Sequence, residues 1–243
     1  GAVREFDFRT TNVVGTFGET GQMTAPVALA FDAESVLYVA DQDGTVQIFD
    51  GASGLLKRTF GDVTAAGEEV TSLLFAPDTG NLLVVDGRAA QPLREYDIGT
   101  AALVGAYGAT ASIGQAVDAT FLGDLGDALL VADASGDVIE CAADGTACAP
   151  FGSAGPLLAP GGPTAIEINP SAAYVPESAV LIADRVSAYV VACTIDGSAC
   201  DVFGDTEGQD SEYLDVLFAP VTTPTPDTTT TTISTTTTTL PSN

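Results

Sequence analysis

The 243-residue chain sets 33 aspartates and glutamates against one lysine (Lys57) and six arginines, contains no histidine, and carries a formal charge of −26. So acidic a chain repels phosphate backbones, which excludes a nucleic-acid binder. The absence of histidine removes the usual general base and metal ligand, and with them any Ser-His-Asp or Cys-His device. The length suits one domain and is too short for two large ones, and no apolar run approaches a membrane span.

The first predicted elements are two strands, residues 3–8 and Asn12–Phe17. A short apolar strand follows at Val27–Phe31, then a second run ending in aspartate, Leu37–Asp41, then a hairpin of Thr45–Asp50 and Leu55–Phe60. The same order recurs downstream, with first strands such as Ser72–Phe75 and second strands at Leu82–Asp86, Leu129–Asp133 and Val180–Asp184. Continuous apolar runs bounded by turn formers predict strands buried on both faces, as expected of the innermost strands of stacked sheets. Each unit closes on an aromatic-glycine pair: Phe17-Gly18, Phe60-Gly61, Tyr107-Gly108, Phe151-Gly152 and Phe203-Gly204, at intervals of 43, 47, 44 and 52 residues. No helical period occurs. A repeat of about 40–50 residues holding four short strands predicts an all-β protein, a β-propeller of about five blades over residues 1–220.

One blade is incomplete in this register. Residues 3–8 and 12–17 match third and fourth strands, and Leu214–Pro220 echoes Thr71–Pro77 as a first strand. No counterpart of Leu82–Asp86 follows it; the chain runs instead into Val221-Thr222-Thr223-Pro224 and a threonine tract. The expectation is an incomplete composite blade, closed by N- and C-terminal strands and short of its second strand. Such a slot presents unpaired N–H and C=O groups to any incoming strand. Threonine favours strands, so the tail over residues 221–243 has three readings at this point. It folds into its own slot, it enters a neighbour's slot as a donated strand, or it dangles as a linker beside a slightly irregular blade.

The succession Pro26-Val27-Ala28-Leu29-Ala30-Phe31-Asp32, Leu37-Tyr38-Val39-Ala40-Asp41 and Val46-Gln47-Ile48-Phe49-Asp50 resembles the NHL repeat family of propellers. The resemblance covers roughly residues 1–220 and is best at residues 26–50. It implies a propeller; for function it implies little, because the family includes binding scaffolds, RNA binders and lyases. The chain departs from the family after the aspartate, where Gln42-Asp43-Gly44-Thr45, Gly87-Arg88-Ala89, Ala134-Ser135-Gly136 and Arg185-Val186-Ser187 replace the usual polar Asn/His-Arg stretch. Without histidine the metal-dependent lyase chemistry of the family has no ligands.

The four cysteines share one spacing around Asp-Gly: Cys141 and Cys148 flank Asp144-Gly145, and Cys193 and Cys200 flank Asp196-Gly197. A two-residue Asp-Gly hairpin turn sets the members of each pair opposite one another, within disulfide range. Disulfides imply an oxidising compartment, and with Gly1-Ala2 standing inside a blade, as at a processed mature end, the expected location is extracellular or at the cell surface. The threonine-proline tail, residues 221–243, has the composition of an O-glycosylated segment. Its candidate acceptors are Thr222, Thr223, Thr225, Thr228, Thr229, Thr230, Thr231, Thr232, Ser234, Thr235, Thr236, Thr237, Thr238 and Thr239.

No catalytic residue, cofactor or metal site is expected. Asp41, Asp86, Asp133 and Asp184 recur at equivalent places, which suits either a ring of calcium ligands or caps on their own turns, and the cap is the better reading. The expected function is that of a non-enzymatic, secreted structural protein that self-assembles head-to-tail into filaments through its incomplete blade and carries O-linked glycans. The alternative is a surface binding module, a propeller head on a glycosylated stalk that grips a carbohydrate, peptide or cation.

Overall fold

The computed structural model describes residues 1–7, 9–19, 21–63, 69–87, 92–107, 113–122, 128–152, 157–168 and 180–205. Among these the chain is all-β, with eighteen strands and no α-helix. A terminal hairpin of β1 (Val3–Phe6) and β2 (Val13–Phe17) comes first and stays two-stranded. Four sheets follow, each of four antiparallel strands in chain order. The first holds β3 (Pro26–Phe31), β4 (Val36–Asp41), β5 (Thr45–Asp50) and β6 (Leu56–Asp62). The second holds β7 (Val70–Phe75), β8 (Leu82–Asp86), β9 (Leu93–Tyr96) and β10 (Leu103–Tyr107). The third holds β11 (Ala116–Leu122), β12 (Ala128–Asp133), β13 (Val138–Ala142) and β14 (Ala149–Pro150), and the fourth β15 (Pro163–Ile168), β16 (Val180–Asp184), β17 (Tyr189–Cys193) and β18 (Cys200–Asp205).

Each predicted repeat is thus one sheet, and successive sheets stack through their first strands, β3 on β7, β7 on β11 and β11 on β15. The core lies between sheets rather than within one. Leu82 and Val84 of β8 pack with Tyr38 and Ile48 of the first sheet, while Leu83 and Val85 between them pack with Ala119 and Leu129 of the third. An alternating strand with apolar neighbours on both sides has no polar face, which explains the unbroken apolar runs. Each fully buried leucine or valine contributes about 1.5–3 kcal/mol. The most deeply buried strand is the second of each sheet: β8 is buried throughout, whereas the first strand β7 is buried only at Val70 and Leu73. Among the described residues the first strand has only one partner in its own sheet, which leaves its other edge unpaired there.

Two further features repeat. Every first strand slips register after its first pair, at Pro26/Ala28, Val70/Ser72, Ala116/Asp118 and Pro163/Ala165, a bulge that sharpens the local twist. The aromatic that closes one unit also meets the outer hairpin of the next. A Cβ added to Gly145 would stand 2.6 Å from the Tyr107 Cα, and one added to Gly197 would stand 3.2 Å from the Phe151 ring. Glycine at those tips lets neighbouring sheets close on each other.

Candidate functional site

The carboxylates that end the second strands are all buried: Asp41, Asp86, Asp133 and Asp184 are at most 3% exposed. Asp133 accepts the Ser135 N–H of its own turn (2.8 Å) and also the Gly114 and Gln115 N–H groups (2.6 and 2.9 Å) that lead into β11. Asp184 likewise accepts Val186 and Ser187 (2.9 and 2.8 Å) and reaches Ala159 (2.6 Å). Asp41 takes Gln42 (2.9 Å) together with Thr24 and Ala25, both at 2.5 Å. Asp86 accepts Glu69 N–H (3.2 Å) and forms an ion pair with Arg94 at 2.7 Å. At Asp41, Asp133 and Asp184 a bond to the aspartate's own turn is therefore half of the arrangement. The other half clasps the segment entering the same sheet, and nothing in the sequence marked it, because the donors are main-chain groups that any residue carries. Among the described residues no three His, Cys, Asp or Glu side chains converge as a metal-ligand set.

A second aspartate recurs at the outer hairpins. Asp50 accepts the N–H and hydroxyl of Ser53 (both 2.8 Å), Asp97 those of Thr100 (both 2.7 Å), and Asp7 the N–H groups of Arg9 and Thr10 (2.9 and 2.8 Å). Asp144 and Asp196 do the same with Thr146 and with Thr194 and Ser198. Donated hydrogen bonds favour the charged form, so all five carboxyls sit below the usual value. Asp196 is brought down to about 2, chiefly by the Thr194 hydroxyl. The buried Tyr107 phenol is driven far upward by desolvation, with nearby Glu95 adding to the shift.

In the last two of these hairpins Cys141 is bonded to Cys148 and Cys193 to Cys200. The turns between them differ from the two-residue Asp-Gly turn expected from the sequence. Gly145 N–H bonds Ala142 O and Gly197 N–H bonds Thr194 O, and each glycine has positive φ while the aspartate before it does not. A two-residue type I′ turn needs positive φ at both centres. The aspartate instead turns back to cap the loop, which places it in an ordinary right-handed position with glycine after it.

The terminal hairpin is the distinctive site. Val3-Arg4-Glu5-Phe6-Asp7 and Val13-Val14-Gly15-Thr16-Phe17 parallel Leu93-Arg94-Glu95-Tyr96-Asp97 and Leu103-Val104-Gly105-Ala106-Tyr107. The pairing is identical, Glu5 opposite Gly15 as Glu95 is opposite Gly105, with the same bulge beyond it. The β1–β2 hairpin is therefore the outer half of a sheet. It covers Leu37, Val39 and Phe49 of the first sheet with Phe17 and Val3, but the inner half of that face is bare. Leu29 on β3 is 51% exposed, whereas its register equivalents Leu73, Ala119 and Ile166 are 6%, 6% and 2% exposed. Val27 and Phe31 flank it, also exposed. On β1, Phe6 is 55% exposed where its counterparts Phe49 and Tyr96 are buried.

The repeat-register strand Leu214–Pro220 and all fourteen acceptor candidates from Thr222 to Thr239 lie outside the described residues. Comparison of the sequence with protein-family models and with curated proteins finds no match.

Proposed function

We propose that the chain is a secreted, non-enzymatic structural subunit. It is a five-bladed propeller of NHL type with one blade left a strand short, and it assembles head-to-tail when the threonine-rich tail of one copy enters the open blade of the next. The observation that carries this reading is the half-exposed Leu29, at a place where every other sheet buries its equivalent. A hairpin that reproduces β9–β10 residue by residue, yet lacks inner partners among the described residues, supports the incomplete fifth blade. If Phe218 is aligned with Phe75, Pro226 falls at Leu83, in the middle of a central strand. Proline has no N–H to give the ladder there, which supports the reading that a second strand is missing from the repeat register. An unpaired edge beside an apolar face is a receptor for an extended segment, and a head-to-tail contact of this kind propagates without closing. The two disulfides accord with an extracellular setting, and the tail composition with O-linked glycans.

The test is electron microscopy of the full chain beside a form lacking residues 221–243. Filaments from the full chain and folded single particles from the shortened form are expected. Filaments from the shortened form refute tail exchange.

A further inference from the structure

In the second sheet, Arg94 and Glu95 of β9 both reach toward the strand beside them. Arg94 forms an ion pair with Asp86 at the end of β8 (2.7 Å). Glu95, 8% exposed, accepts the Asn81 amide (2.7 Å) and the Thr79 hydroxyl (3.0 Å) in the turn that leads into β8. Arg4 and Glu5 stand at the same register positions of β1, with Glu5 across from Gly15 as Glu95 is across from Gly105. Both are exposed, and among the described residues no hydrogen bond or ion pair engages either side chain. There β1 pairs only with β2, so the edge that corresponds to the β8 side of β9 is unpaired. An open main-chain edge thus carries, in order along it, an unmet acceptor and an unmet cation.

Resting on the incomplete blade proposed above, we infer that Arg4 and Glu5 select the strand that enters it. That strand runs antiparallel to β1. It brings a hydroxyl or amide donor to Glu5 at its start and a carboxylate to Arg4 five residues later, the spacing of Asn81 and Asp86. The partner is therefore an extended peptide segment of that chemistry from a second polypeptide, not a carbohydrate or a free cation. Charge supplies the preference. The chain as a whole, at −26, repels an acidic segment, whereas the Arg4 guanidinium offers a carboxylate a directional, charge-assisted contact. Main-chain bonds along β1 give affinity without regard to sequence, and the two side chains set direction and register. A slip of two residues keeps every side chain on its face but takes the carboxylate away from Arg4.

The test titrates dilute full chain with a fluorescent peptide copying residues 79–87, followed by anisotropy. The parent peptide should bind. Asp86→Asn in the peptide, or Arg4→Met in the chain, should each weaken it about tenfold, and the two together no further. Arg4→Glu against a peptide carrying Asp86→Lys should recover the binding that either change alone removes. Thr79→Val with Asn81→Ala in the peptide should lose affinity only while Glu5 is present. Absence of binding, or equal binding of the parent and Asp86→Asn peptides, overturns the selection; independent effects of the Arg4 and Asp86 changes overturn the contact. The filament assay separates this result from tail exchange. Filaments without peptide binding leave tail exchange standing and overturn the selection, and peptide binding without filaments does the reverse.

Discussion

Removing the Asp133 carboxylate tests the clasp that recurs in all four sheets. Its two oxygens accept three main-chain N–H groups, Gly114 and Gln115 ahead of β11 and Ser135 within the turn. Each hydrogen bond to a charged group is worth about 1.5–3 kcal/mol, and their loss is offset in part because a charge no longer has to be kept out of water. For Asp133→Ala the balance is a loss of about 3–4 kcal/mol, since three donors are left unpaired beside a buried strand. Asp133→Asn keeps one acceptor oxygen but turns an NH2 toward N–H donors, for about 2–3 kcal/mol. Equilibrium urea unfolding measures both. With a slope of about 2 kcal/mol per molar, the alanine midpoint should fall by about 1.5–2 M at constant slope. Hydrogen exchange at Gly114 and Gln115 should accelerate in both variants. An alanine midpoint within about 0.3 M of the parent would refute the assignment of these bonds as structural.

The other expectations concern the hairpins. Gly152→Ala should destabilise by about 3 kcal/mol or more, because the new Cβ would stand 1.9 Å from the Gly197 carbonyl at a positive-φ position; thermal unfolding checks it. Reduction of Cys141–Cys148 and Cys193–Cys200, each closing a loop with a sequence separation of 7, should cost about 2–3 kcal/mol per bridge, read as a fall in melting temperature with reductant. The five hairpin aspartates, Asp7, Asp50, Asp97, Asp144 and Asp196, all have folded values below the ordinary 3.8. A lowered carboxyl binds fewer protons folded than unfolded, so its contribution is complete above about pH 4 and disappears as pH falls through the folded value. Melting temperature should therefore drop steeply between about pH 4 and 2, and Asp196→Asn, removing the group brought to about 2, should make that drop shallower; an unchanged slope refutes it.

How much was legible in the sequence depends on which atoms carried the interaction. The second strands could be read to within a residue, because burial on both faces leaves an unbroken apolar run and Asp86 or Asp133 marks the end. The pairing of Cys141 with Cys148 follows from their equal distance from Asp144-Gly145, even though the turn itself is built differently. The upstream half of each aspartate clasp was invisible, since Gly114, Gln115 and Ala159 contribute only their N–H groups. The bare face of β3 was equally hidden: Pro-Val-Ala-Leu-Ala-Phe reads like any other first strand. Only the comparison of Leu29 with Leu73 across two sheets separates a covered position from an open one.

The aspartate clasps also determine how the molecule responds to load. In a single molecule pulled from its ends, tension reaches each sheet through the segment entering it, and that segment is pinned to its own sheet by a carboxylate such as Asp133 or Asp184. Force must break that knot of two or three short bonds before it can begin to unzip a strand. Each sheet is thus a separately fused link, and the extension trace of a single molecule should rise and fall once per sheet rather than collapse in one step.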